Sequence, residues 1–200
     1  MNPFVAAKKR IYRWIKYRLV RPGPPPSPVR FTGPVVVLGA APVSHRPTGL
    51  DHGFSVITVN GSQTVLAEWG VEQPDITMMM FNQVEGTTHN AREVRRVLSG
   101  KRTGALFVLL WRKNERERLK RGLAAFNYGY DFLYIVDRYE RMALLDRVTG
   151  LRSLEIDAES KCSNGVYAIL FALYHRAPAV IMTGIDPCSS GHAYNDAGLA

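Results

Sequence analysis

Six short apolar, strand-like runs recur along the chain, at residues 34–38, 54–59, 76–81, 105–111, 132–136 and 179–183. Segments with helical spacing lie between them, at 62–69, 90–98, 114–126, 138–148 and 164–175. A strand that is apolar throughout must be covered on both faces, and parallel strands need crossovers long enough to hold a helix. The alternation therefore predicts an α/β, Rossmann-like fold, a mostly parallel sheet with helices on both faces. Four runs end in a small or amide-bearing residue: Gly39, Asn60, Asn82 and Gly184. Parallel strands bring such carboxyl ends to one edge, where ligands of open α/β sheets bind.

The last of these units is the most specific. Ser163 or Asn164 can cap a helix that begins at Gly165-Val166-Tyr167, leaving free N–H groups and a positive dipole end that suit a phosphate. After run 179–183 comes a loop from Gly184 to Tyr194, rich in hydrogen-bonding groups. An anionic or nucleotide ligand is expected there. Plainer readings stand beside this one. Asn60-Gly61 favours a tight turn, Asn82 can cap the polar stretch 83–90, and Asp186 can cap the turn before Pro187. Tyr167 faces an apolar helix and reads as core. Tyr194 has no apolar periodicity around it, so a structural role explains it poorly.

Charge is distributed unevenly. The net charge is +9, but residues 1–30 hold eight Lys or Arg and no acid, leaving about +1 for the rest. That argues against a nucleic-acid-binding face within the fold. Residues 4–21 read as a basic amphipathic helix with Ile11, Trp14, Ile15 and Leu19 on one side. This pattern fits an anionic membrane surface; docking on its own domain or on a partner subunit is the other reading. The domains expected are a helix over 1–21, a proline-rich semi-rigid spacer over 22–29 and an α/β domain over 30–200. Lys8, Lys9 and Arg10 break up the N-terminal apolar residues, unlike a signal peptide, so Cys162 and Cys188 are expected to be reduced thiols in a cytoplasmic protein.

Other chemistries find little support. His45, His52, His89 and His175 are scattered singly, and Asp157-x-Glu159 follows no buried strand, so no metal site is expected. The loop after Gly39 lacks the third glycine of the dinucleotide fingerprint and no acid ends the second run, which disfavours NAD. Met78-Met79-Met80 reads as buried strand.

Taken in order, Gly39-x-x-Pro42, Asn60, Phe81-Asn82, Ser163-x-Gly165-Val166-Tyr167, Gly184-Ile185-Asp186 and Gly191-x-x-Tyr194 resemble the bacterial sialyltransferases of glycosyltransferase family 42. The resemblance is densest over residues 163–167 together with 183–194, and leaves out residues 1–30. It implies an A-type glycosyltransferase variant that uses a CMP-sugar donor and needs no metal or other cofactor. It implies that Gly39, Ala40, Ala41 and Pro42 form the loop under the nucleotide. Asn60 and Asn82 would face the donor's phosphate and sugar, and Asn164 and Gly165 the cytidine and ribose at the helix start, with Ser163 among the substrate-binding residues. Asp186 would hold the ribose or brace its loop, and Tyr194 would bind the leaving phosphate. Two departures stand out. Ala40-Ala41 replaces the family's usual Asn-Gly, and Cys188 stands where a second phosphate-binding tyrosine is usual.

The family's general-base histidine lies further along than Ala200. The expectation is therefore a C-terminally truncated domain, a missing base, or another residue in that role; His192 is the histidine in the same loop. The function expected is transfer of a sialic acid or Kdo-like sugar from CMP to a surface glycan, at the inner face of the cytoplasmic membrane, with a homo-oligomer left open. The alternatives are a catalytically inactive, membrane-tethered nucleotide-binding or scaffold module, and a pyrophosphokinase-like enzyme, which would need acidic magnesium ligands near Asp186.

Overall fold

The computed structural model describes residues 3–50, 53–151, 155–156, 161–186, 188 and 191–193. Its centre is a six-stranded sheet in the order β5-β4-β3-β2-β1-β6. The strands are β1 Val35–Leu38, β2 Ser55–Val59, β3 Ile76–Met80, β4 Arg102–Leu109, β5 Gly129–Val136 and β6 Val180–Thr183. Every pairing is parallel, with Val36 opposite Val56 in β2 and opposite Ile181 in β6. From β1 to β5 the chain steps steadily one way; it then returns to lay β6 on the other flank of β1. The strand order reverses between β1 and β6, and such a switch point is where a parallel sheet opens a crevice.

Side chains of successive strand residues point to opposite faces. Val35 and Val37 enter one core with Ile57, Met78, Phe107 and the helical residues Tyr167, Ala168 and Phe171. Val36 and Leu38 enter another with Val56, Leu66 and Trp69, while Met79, Leu106 and Val108 pack with Val94 and Leu119 on the same side. The first face is covered by α5 (Arg138–Thr149) and α6 (Asn164–Tyr174), the second by a 3-10 helix (Asn60–Ala67), α3 (His89–Leu98) and α4 (Arg116–Ala125). Phe107 locks the first layer, stacked on Tyr134 at 4.6 Å and edge-on to Phe171 at 5.1 Å. Each fully buried aliphatic of this kind contributes roughly 1.5–3 kcal/mol. The α/β fold with both faces covered is as expected.

Several local expectations need correction. β4 and β5 begin three residues before their apolar runs, because Gly129 N–H donates to the Lys101 carbonyl and starts the ladder at polar positions. Asn82 does not open a loop; it lies in a short helix, α2 (Phe81–Glu85), whose last turn closes by Gly86 N–H donating to the Asn82 carbonyl. Asn60-Gly61 is the start of the 3-10 helix rather than a tight turn. In the proline-rich segment Pro25 is buried and its carbonyl accepts a hydrogen bond from His175 Nε2 at 3.0 Å. The N-terminal helix α1 (Pro3–Val20) docks on its own domain through Tyr17 Oη, which donates to Asp146 Oδ2, and Arg13 Nη1, which donates to the Ile156 carbonyl.

Candidate functional site

The loops leaving β1 and β6 stay joined beyond the strands. Gly39 N–H donates to the Thr183 carbonyl and Ala41 N–H to the Gly184 carbonyl, at 2.9 and 2.8 Å; Ala193 N–H then donates to the Ala40 carbonyl at 2.9 Å. Glycine is required at both crossings. A Cβ on Gly39 would fall on the Gly184 carbonyl oxygen, and Gly184 has φ +63° with its own Cβ position 2.7 Å from the Gly39 oxygen. This joined strip floors a cleft of about 330 Å³ at the carboxyl edge of the sheet. Val59 lines it from β2, Asn60 from the start of the 3-10 helix, residues 163–166 from the start of α6, and Gly184, Ile185, Asp186, Gly191 and His192 from the last loop. A larger hollow of about 770 Å³ lies away from this edge, between the ends of α1 and α5.

The polar groups facing this cleft are mainly donors. Ser163 caps α6 by accepting from Val166 N–H at 3.1 Å. The N–H groups of Asn164 and Gly165, the first two of the helix, have no intrahelical acceptor and lie at the positive dipole end. The Asn164 amide is oriented from behind: its Oδ1 accepts from Arg141 Nη1 at 3.3 Å, which leaves Nδ2 to the cleft. Asn60, at φ +52°, is oriented in the same way, its Oδ1 accepting from Met80 N–H at 3.0 Å. Both amides therefore offer N–H rather than C=O. No Lys or Arg is among the described lining residues. The carboxylate of Asp186 turns onto its own loop, accepting from Cys188 N–H at 2.8 Å.

A buried ion pair supports the α6 start. Arg141 and Glu155 are both 0% exposed, and the guanidinium donates twice to the carboxylate, at 2.5 and 2.8 Å. The guanidinium also covers the Tyr167 ring at 4.4 Å. Burial raises the Tyr167 hydroxyl well above its ordinary value, although Arg141 pulls the other way, and that hydroxyl has no hydrogen-bond partner among the described residues. The Cys162 thiol donates to Glu155 Oε1 at 3.3 Å, and burial pushes it up to about 12.

Of the residues singled out in the sequence, Gly39, Ala40, Ala41, Asn60, Ser163, Asn164, Gly165, Asp186 and His192 come together here. Pro42, Asn82 and Cys188 are exposed and outside the lining. Tyr194 lies outside the described residues. Tyr167 is core, as expected, and Asp186 makes the turn its plainer reading predicted. Sequence reasoning missed Arg141 and Glu155: a lone arginine among helical charges carries no sign of burial. Among the described residues no group of three His, Cys, Asp or Glu is placed to hold a metal ion.

Comparison with protein-family models and with curated proteins finds no match. Among solved structures the chain is similar to the sialyltransferase CstII from Campylobacter jejuni, in complex with the substrate analogue CMP-3FNeuAc. The identity is 13% and the TM-score 0.47, over 76% of this chain and 64% of that one, less than two thirds of its length.

Proposed function

We propose that the cleft binds the phosphate and ribose of a CMP-activated sugar, and that the protein is a metal-independent glycosyltransferase moving a sialic acid or Kdo-like sugar to a glycan acceptor. The observation that carries the reading is the donor set. Two asparagines whose Oδ1 atoms are already engaged, and the first N–H groups of α6, line the cleft at the switch point, so an acceptor-rich, anionic group is the complementary ligand. The sequence resemblance supplies the nucleotide. In the transfer, the bond from the anomeric carbon to the CMP phosphate breaks and a bond to an acceptor hydroxyl forms. The proton of that hydroxyl goes to a base. His192, exposed at the cleft rim, is the described side chain suited to that role. Tyr194 would hydrogen-bond the departing phosphate.

Thermal stabilisation by CMP, set against UMP, GMP and NAD, tests the donor; no shift with CMP overturns it. Asn60→Asp and Asn164→Asp test the site. Each keeps the oxygen that Met80 N–H or Arg141 already uses and replaces the cleft-facing donor with a carboxylate oxygen. Both variants should fold normally and bind CMP about tenfold or more weakly, the value of a lost charge-assisted hydrogen bond. Unchanged CMP affinity in both would remove the cleft as the phosphate site. The inactive-module reading is decided by donor turnover: CMP binding without CMP release in the presence of acceptor glycans favours it.

A further inference from the structure

The docking of α1 is unusual in its orientation. At 3.6 residues per turn, Ile11, Ile15 and Leu19 fall within about 80° of one another, with Trp14 beside them. Arg13 and Tyr17, which bind the domain, lie about 180° away. The helix is held by its polar side, with Lys16 Nζ also 5.2 Å from the Tyr139 ring centre, and its apolar stripe faces outward. Leu19 is 78% exposed and Ile11 59%. A helix that needed only its own domain would bury that stripe.

We infer that the outward face of α1 is a docking surface for an anionic lipid bilayer. Charge complementarity selects the occupant. Lys8 and Arg18 fall along the stripe, no acid occurs in the helix, and Trp14 carries the Arg18 guanidinium 4.8 Å over its ring. At the C-terminal end of α1, Arg18 and Arg21 line a hollow with Arg147 of α5, three cations against the one carboxylate of Asp146, which Tyr17 already engages. Among the described residues no helix is long and apolar enough to cross a membrane, so the helix lies in the interface plane. Because Pro25 is pinned by His175 and α1 by Asp146 and Ile156, the bilayer would hold the whole domain at one angle, not on a leash.

The test is sedimentation of the full chain with phosphatidylcholine vesicles and with mixed phosphatidylcholine–phosphatidylglycerol vesicles. Binding is expected with the mixed vesicles alone, weakened about tenfold or more by Ile15→Glu with Leu19→Glu. Both positions are exposed, so the variant should keep its melting temperature. Trp69 and Trp111 are buried, so a blue shift of emission and quenching by brominated lipid report Trp14 entering the bilayer. Equal binding of wild type and variant overturns the inference, as does equal binding to uncharged vesicles. A lipid-free dimer that the double substitution dissolves would assign the stripe to a second copy instead. None of these readouts depends on CMP.

Discussion

Replacing Arg141 with Met is the sharpest probe of how the cleft is organised. Glu155 would remain buried, its carboxylate left with the weak Cys162 S–H in place of two guanidinium bonds. Breaking a fully buried pair from one side costs about 3–5 kcal/mol, because the remaining charge has no solvent. For a chain of this size that corresponds to a fall in Tm of roughly 6–20 °C. Removing both charges, Arg141→Met with Glu155→Leu, should restore most of the stability, since a well-packed apolar pair is often no worse than a buried ion pair. It should not restore ligand binding. Asn164 would lose the group that fixes its Oδ1, about 1.5 kcal/mol for a bond to a charged donor, or close to tenfold in Kd for CMP. Urea denaturation and titration calorimetry on the two variants separate these effects. A cost below about 1 kcal/mol for the single substitution, or wild-type CMP affinity in the double one, would refute the reasoning.

Further outcomes follow from other contacts. Gly39→Ala places a methyl group on the Gly184 carbonyl and should cost about 3 kcal/mol in urea denaturation; a change under about 0.5 kcal/mol would mean the two loops separate easily. Burial holds His175 below its ordinary value, so the unfolded chain takes up its proton first. Stability should therefore fall as pH drops from about 6.5 through the lower folded value, and His175→Gln should shrink that fall in Tm. Identical pH profiles for the two proteins would exclude His175 as the source. Tyr194→Phe should lower sugar transfer more than CMP affinity, and equal transfer rates would remove Tyr194 from the reaction.

The strand and helix order was legible because each strand is buried on both faces. Runs such as 35–38 carry no polar residue that could mark a solvent side. The glycine and asparagine strand ends were legible for a related reason: a parallel sheet gathers them without any knowledge of long-range packing. The orientation of the amides was not. Asn60 is turned by Met80 and Asn164 by Arg141, partners 20 and 23 residues away. α2 was missed because five residues show no helical period. The apolar stripe of α1 was visible in its spacing, but not which side would meet the domain. The Pro25–His175 bond joins residues 150 apart, and nothing local in either announces it.

Among the described residues β6 is an edge strand of four residues, paired only with β1 and partly exposed along its length. Yet its end supplies half the floor of the cleft. Edge strands open to solvent more readily than central ones. An occupant of the cleft would bridge the end of β6 to the starts of α6 and the 3-10 helix, and so act as a fastener on the loosest margin of the sheet. Amide hydrogen exchange should register this directly: the slowing on ligand addition would concentrate at Gly39, Ala41 and the β6 ladder, while the β3 and β4 amides, already slow, would barely change.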